Sequence, residues 1–176
     1  HPTDVLETGY DILFFWIARM ILMSGFLLGT VPFRNVYLHG LVRDDKGRKM
    51  SKSLGNIIDQ LTMIGKYGAD AARLSLIVGA SPGNDVKLSE DRVRGYKHFA
   101  IKIWNISRFV LENAGDEIGH PMSNLEEVDN KLIAETQGIV KEVSEHIDNF
   151  RLDLAADCIY HFVWHRFADE IIEESK

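Results

Sequence analysis

The chain has 176 residues, enough for one large domain or two small ones, and at 45% hydrophobic and 26% charged it can bury a core. A net charge of −6 argues against a uniformly basic nucleic-acid binder. The single cysteine, Cys158, excludes an internal disulfide framework and fits a reducing cytoplasm.

No basic, apolar and small-residue export signal is visible, and a chain that opens on His1 is read as a piece of a longer protein. In chain order, the apolar run 12–28 predicts a long helix from about Tyr10 to Leu28, stopped by Gly29 and Pro32. Arg19 lies at its centre, and a charge there costs roughly 2.5–3.5 kcal/mol on membrane-insertion scales. A buried core helix, not a membrane span, is therefore the expectation.

The segment 36–42, rich in β-branched and aromatic residues, predicts a buried strand of a parallel sheet. A polar, glycine-containing loop follows over 43–56. Asp59 is placed to cap a short helix ending near Gly68, and Asp70 a second one running to Val78. The breakers in 79–85 (Gly79, Pro82, Gly83, Asn84, Asp85) mark a boundary.

Beyond it the periodicity becomes helical. Ser89, Glu90 and Asp91 open a helix with apolar positions at Val93, Tyr96, Ala100, Ile103, Trp104, Ile106 and Phe109. A loop at 115–124 and helices near 125–147 and 152–173 complete the pattern. Residues 1–85 thus read as α/β and 86–176 as an all-α, truncated bundle.

Charge is distributed unevenly. Arg43, Lys46, Arg48, Lys49 and Lys52 crowd 42–52, whereas 111–176 carries 5 basic and 16 acidic residues. A phosphate-binding surface is therefore expected on the earlier segments. Within the first of them, Lys49-Met50-Ser51-Lys52-Ser53 puts two ammonium groups and two hydroxyls on a loop with glycines at 47 and 55. Such a loop suits an anion that grows during reaction and then leaves. When a carboxylate attacks the α-phosphorus of ATP and pyrophosphate departs, well-placed lysines stabilise the transition state more than the ground state.

The full string, Gly47 to Asn56, resembles the second signature of the class I aminoacyl-tRNA synthetases, whose catalytic domain is a Rossmann-type nucleotide-binding fold. The resemblance implies that Lys52 contacts the ATP phosphates with help from Lys49, and that Ser51 and Ser53 donate to phosphate oxygens. It also implies that His39 and Gly40, at the end of the strand, hold the adenine. The opening string from Glu7 to Trp16 is similar to the valyl branch of this family. By that likeness Gly9 and Asp11 approach the ribose and the aminoacyl group, while Ile12 and Trp16 line the valine side-chain pocket. Four residues apart on a helix, Ile12 and Trp16 would share one face.

The segments 81–85, 99–109 and 162–169 resemble the family's helical anticodon-binding domain. The chain is thus identified as similar to a class I synthetase from the second half of its catalytic core, 1–85, into the anticodon-binding domain, 86–176. The implied substrates are valine, tRNA(Val) and ATP with Mg2+, and the implied location is the cytoplasm. A truncated tRNA-binding module without catalysis, or an isoleucyl or leucyl relative, are the alternative readings.

The first class I signature, His-x-Gly-His, is not found, nor is an editing insertion, so this piece alone is expected not to activate valine. His161 and His165 lack a third ligand for zinc. Trp104 and Trp164, at apolar helical spacing, are expected in the core rather than on unstacked bases.

Overall fold

Residues Thr3–Gly9 form a strand, β1, that the sequence reading does not anticipate. It pairs in parallel with β2, Phe33–His39, placing Val5 opposite Asn35 and Gly9 opposite His39. The computed structural model describes residues 1–114 and 125–175. Strand β2 starts and ends three residues earlier than expected. Directly after His39 the backbone of Asn84 comes so close that a side chain at Gly40 would lie only 1.7 Å from its carbonyl oxygen. The chain resumes in β3, Val42–Arg43, parallel to β4, Val86–Lys87.

The helix joining β1 to β2 begins with a 3-10 turn at Tyr10–Ile12 and a π-helical stretch at Leu13–Ile17, then becomes α1, Ala18–Leu28. Gly29 closes it in the left-handed conformation. The expectation of a buried core helix does not hold within this chain. Ile17 is 1% exposed, but Phe26 is 86% and Leu22 70% exposed. The physical reason is the width of the sheet. Two strands cover one side of a helix, whereas parallel sheets normally bury both faces under more extensive layers. By length and composition Tyr10–Leu28 could also cross a membrane, with a mean hydropathy of 1.8. Arg19 interrupts it and lies 5.8 Å from the Phe15 ring.

The chain forms two compact units that interleave in sequence, His1–Ile58 with Gly79–Ser89, and Asp59–Val78 with Glu90–Lys176. In the second, Asp59 caps α2, Gln60–Tyr67, by accepting from the Thr62 amide at 2.8 Å. Helix α3, Ala69–Ile77, is preceded by Gly68, so Asp70 sits inside its first turn and does not cap it. There the carboxylate still faces the positive end of the helix dipole. Both short helices pack on α4, Glu90–Ala114. Arg92 donates to the Ser75 and Val78 carbonyls at the end of α3, and Glu90 accepts from Lys66 at 3.0 Å and from the Tyr67 hydroxyl at 2.6 Å.

Helix α5, Glu127–Asp148, packs against α6, Leu152–His161, which continues through a π-helical segment, Phe162–Ile171, into α7, Ile172–Glu174. Arg166 bridges two elements by donating to both Glu135 oxygens at 2.8 and 3.0 Å. That fork holds Glu135 below its ordinary pKa and, with Glu170, raises that of Arg166. The buried core of the unit is largely aliphatic, with Val93, Ala155, Ala168 and Ile172, and an aromatic cluster lies beside it. Phe99, 3% exposed, meets Tyr160 and Trp164 at centroid distances of 4.7 and 6.0 Å. Lys102 lies 4.4 Å over Trp164 and pairs with Asp169 at 2.6 Å. Trp164 is half-buried, its ring stacked on Phe99 and Tyr160, so it flanks the core that it was expected to join. Trp104 lies outside it, being 71% exposed, because five residues of α-helix rotate it well away from the face that carries Phe99. The loop expected at 115–124 lies outside the described residues.

Candidate nucleotide-binding site

Gly9 and His39 end two paired parallel strands side by side, and Asp11, Ile12 and Gly40 follow directly. In open α/β sheets this carboxyl edge is where ligands bind. Gly9 leaves room for a neighbour, since a side chain there would start 2.8 Å from the Asp11 carboxylate. His39 Nδ1 donates to the Gly40 carbonyl at 2.8 Å, and its Nε2 lies 3.3 Å from Glu7. Ile12 and Trp16 are 38% and 47% exposed. The α-helical spacing used to put them on one face is absent, because Ile12 ends a 3-10 turn and Trp16 lies in the π-helical stretch.

Past β2, Asp85 fastens the root of the next loop. Its carboxylate accepts from the Leu41 amide at 2.8 Å and pairs with Arg43. These bonds, joined by one from Tyr10, hold its pKa below the usual carboxylate range. The chain then turns at Asp44–Gly47, where Gly47 adopts φ 76° and its amide donates to the Asp44 carbonyl at 2.9 Å. Asp44 is 4% exposed. One of its oxygens accepts from the Lys46 and Arg48 amides at 3.1 and 2.7 Å. The other accepts from Arg48 Nε at 2.8 Å and Asn56 Nδ2 at 2.9 Å. With Asn56 as the largest cause, its pKa falls to about 2, so the group is ionised at any physiological pH.

Between Asp44 and Asn56 runs the basic string. The Ser51 amide donates to Asn56 Oδ1 at 2.9 Å, the Ser51 and Ser53 hydroxyls are 3.1 Å apart, and the Leu54 amide meets Ser51 Oγ at 3.3 Å. Of the five basic residues, Arg43 and Arg48 are neutralised by Asp85 and Asp44. Lys46, Lys49 and Lys52 are exposed and make no ion pair among the described residues. The Lys49–Ser53 string therefore offers two available ammonium groups and two hydroxyls from a braced turn, with Lys46 a third ammonium group at its entry. Asp44, Asn56 and Asp85 are missed by sequence reasoning. A signal for the first two exists in the Asx residues that flank the two glycines of the loop. Among the described residues no group of three or more His, Cys, Asp or Glu side chains could hold a metal ion.

A sheet edge at the carboxyl ends of parallel strands, a basic loop and an appended helical bundle together describe an α/β domain with a candidate ligand site followed by a helical module. The family described as tRNA synthetases class I (I, L, M and V) matches residues 1–89, and the anticodon-binding domain of tRNA ligase matches 129–176. The chain belongs to the class I tRNA synthetases. It is 48% identical to the valine–tRNA ligase of Clostridium acetobutylicum over 176 residues, covering 98% of this chain and 20% of that protein. It is also 48% identical to that of Thermotoga maritima, over 100% of this chain and again 20% of the relative. The chain thus spans about a fifth of the length of these relatives.

Among solved structures, methionyl-tRNA synthetase of Mycobacterium tuberculosis in complex with methionyl-adenylate matches with a TM-score of 0.73 at 26% identity, over 90% of this chain and 32% of that one. The Agrobacterium radiobacter LeuRS–tRNA–LeuAMS complex matches in fold with a TM-score of 0.74 at 20% identity, over 92% of this chain and 23% of that one. The fold is the Rossmann-type α/β architecture followed by a helical bundle, as the sequence predicts.

Proposed function

We propose that this chain is the segment of a valine–tRNA ligase that supplies the phosphate-handling loop, part of the valine pocket and the start of the tRNA-binding bundle. The observation that carries the proposal is the pair of unneutralised lysines, Lys49 and Lys52, on a loop braced at both ends. ATP, as its Mg2+ complex, is the substrate. Lys52, assisted by Lys49, Ser51 and Ser53, takes up the charge that develops on the departing pyrophosphate as the valine carboxylate attacks. His39 and Gly40 hold the adenine, and Gly9 and Asp11 face the ribose and the forming aminoacyl group. Ile12 and Trp16 close on the valine side chain. The activated valine passes to tRNA(Val), which the helices beyond residue 85 help to hold, and the working compartment is the cytoplasm.

The exposed apolar helix supports a place inside a larger domain. Its side chains need a covering layer, its β1–β2 sheet needs neighbours on both faces, and the relatives are several times longer. Protein is a better cover than lipid, because Arg19 would sit at the centre of a bilayer. On this reading the 176-residue chain alone does not activate valine.

The test is amino-acid-dependent ATP–pyrophosphate exchange by the full-length synthetase that carries this segment, with valine, isoleucine, leucine and methionine compared. Valine gives the highest kcat/KM, and Trp16→Ala lowers it by roughly tenfold or more through loss of pocket contacts. Equal use of the four amino acids, or valine activation unchanged in Trp16→Ala, contradicts the assignment of the pocket.

A further inference from the structure

We propose that Asp44 and Asn56 are positioning residues that clamp the two ends of the Lys49–Ser53 loop, so that Lys49 and Lys52 meet the nucleotide in one arrangement. The proposal rests on the reading that this loop handles ATP. Neither residue lies in the basic pentapeptide, and neither offers a free charge. Asn56 is neutral, and the Asp44 carboxylate is spent on Arg48.

The loop has almost no apolar burial of its own. Leu54 is 58% exposed, and Asp44 is the one fully buried side chain from Val42 to Asn56. Order in this segment therefore comes from polar contacts, and these converge on two side chains. Asp44 gathers the amides of Lys46 and Arg48 on the entry side. Asn56 reaches back from the exit side. Its oxygen takes the Ser51 amide at 2.9 Å, and its nitrogen donates to Asp44 at 2.9 Å and to the Lys49 carbonyl at 3.2 Å.

Asn56 thus grips the backbone beside both lysines, at Lys49 itself and at Ser51 next to Lys52. The task needs one acceptor and two donors on a short stem. A side-chain amide has them, whereas a carboxylate lacks the donors and a hydroxyl lacks the reach. Beyond the clamp, Lys52 to Gly55 stay exposed, with Gly55 at φ 63° and its amide bonded to the Lys52 carbonyl at 3.2 Å. The base is fixed and the tip is left accessible to phosphate. Misplacing a catalytic group by about 1 Å can cost roughly 10²-fold in rate, which is the scale on which such a clamp acts.

The experiment is valine-dependent ATP–pyrophosphate exchange in the full-length synthetase, with kcat and both KM values measured for Asn56→Ala, Asn56→Asp, Asp44→Asn, the double exchange Asp44→Asn/Asn56→Asp, and Lys52→Ala. Each single clamp variant lowers kcat by roughly 10–100-fold, with the KM for valine held within about twofold. The double exchange restores the 44–56 bond with donor and acceptor reversed and recovers at least about threefold over Asn56→Asp. Amide exchange at Ser51 speeds up in Asn56→Ala while the melting temperature stays close to that of the parent.

Clamp variants with kcat unchanged, beside a Lys52→Ala that loses activity, overturn the clamp and leave the loop's role standing. So does a common fall in kcat, valine affinity and melting temperature without recovery in the double exchange. Full activity in Lys52→Ala overturns the nucleotide role of the loop and the clamp with it.

Discussion

Gly40 shows how tightly the edge of the site is built. A Cβ added there would lie 1.7 Å from the Asn84 oxygen and 2.6 Å from the Asp85 amide nitrogen, both backbone atoms that cannot swing aside. Asp85 in turn holds Leu41 and Arg43, immediately before the basic loop. Gly40→Ala is therefore predicted to displace the 83–85 segment and to destabilise the chain by roughly 1–3 kcal/mol, as overpacking does. Thermal denaturation of the variant measures this, and an unchanged melting temperature contradicts the packing. Sequence reasoning marked Gly40 for a nucleotide, and the structure adds a second reason for glycine at that position. Lys49, Ser51, Lys52 and Ser53 were legible because they form one contiguous, unusual string. Asp44 and Asn56 were not, because the Asx residues flanking Gly47 and Gly55 mark a turn but not the contact across twelve residues that joins them.

At the scale of elements, periodicity located the helices well, from the Asp59 cap to α4 and the long segment beginning at Leu152. It failed where an element deviates from the α period or lacks a covering layer. The 3-10 and π-helical turns at Tyr10–Ile17 break the spacing argument for Ile12 and Trp16. Strand β1 has polar and exposed residues along most of its length, so it carries no burial signal. In α4, Trp104 and Phe99 look equally apolar in sequence, and the turn of the helix separates them. Phe99→Ala is predicted to cost about 3–5 kcal/mol by opening the aromatic cluster, whereas Trp104→Ala changes stability by no more than about 0.5 kcal/mol. Denaturant melts of the two variants make the comparison, and similar losses would refute the burial of Phe99 against Tyr160 and Trp164.

For the whole molecule, the two halves of the chain carry different charge. The first unit presents available lysines on a short loop, whereas the acidic segment 111–176, with 5 basic and 16 acidic residues, keeps a net negative charge despite ion pairs such as the Arg166–Glu135 fork. The helices α2 and α3 pack with α4 in the second unit, while the family match to the synthetase domain takes in residues 1–89. The exposed apolar helix and the narrow sheets fit a domain completed by further chain, in keeping with relatives of which this chain spans a fifth. The claim on which everything else depends is that the loop from Lys49 to Ser53 carries the charge of the reacting ATP. It is tested most directly by valine-dependent ATP–pyrophosphate exchange in the full-length synthetase, comparing the parent with Lys52→Ala. The account predicts a fall in kcat of roughly 10²–10³ with valine binding little changed, and an unchanged rate would contradict it.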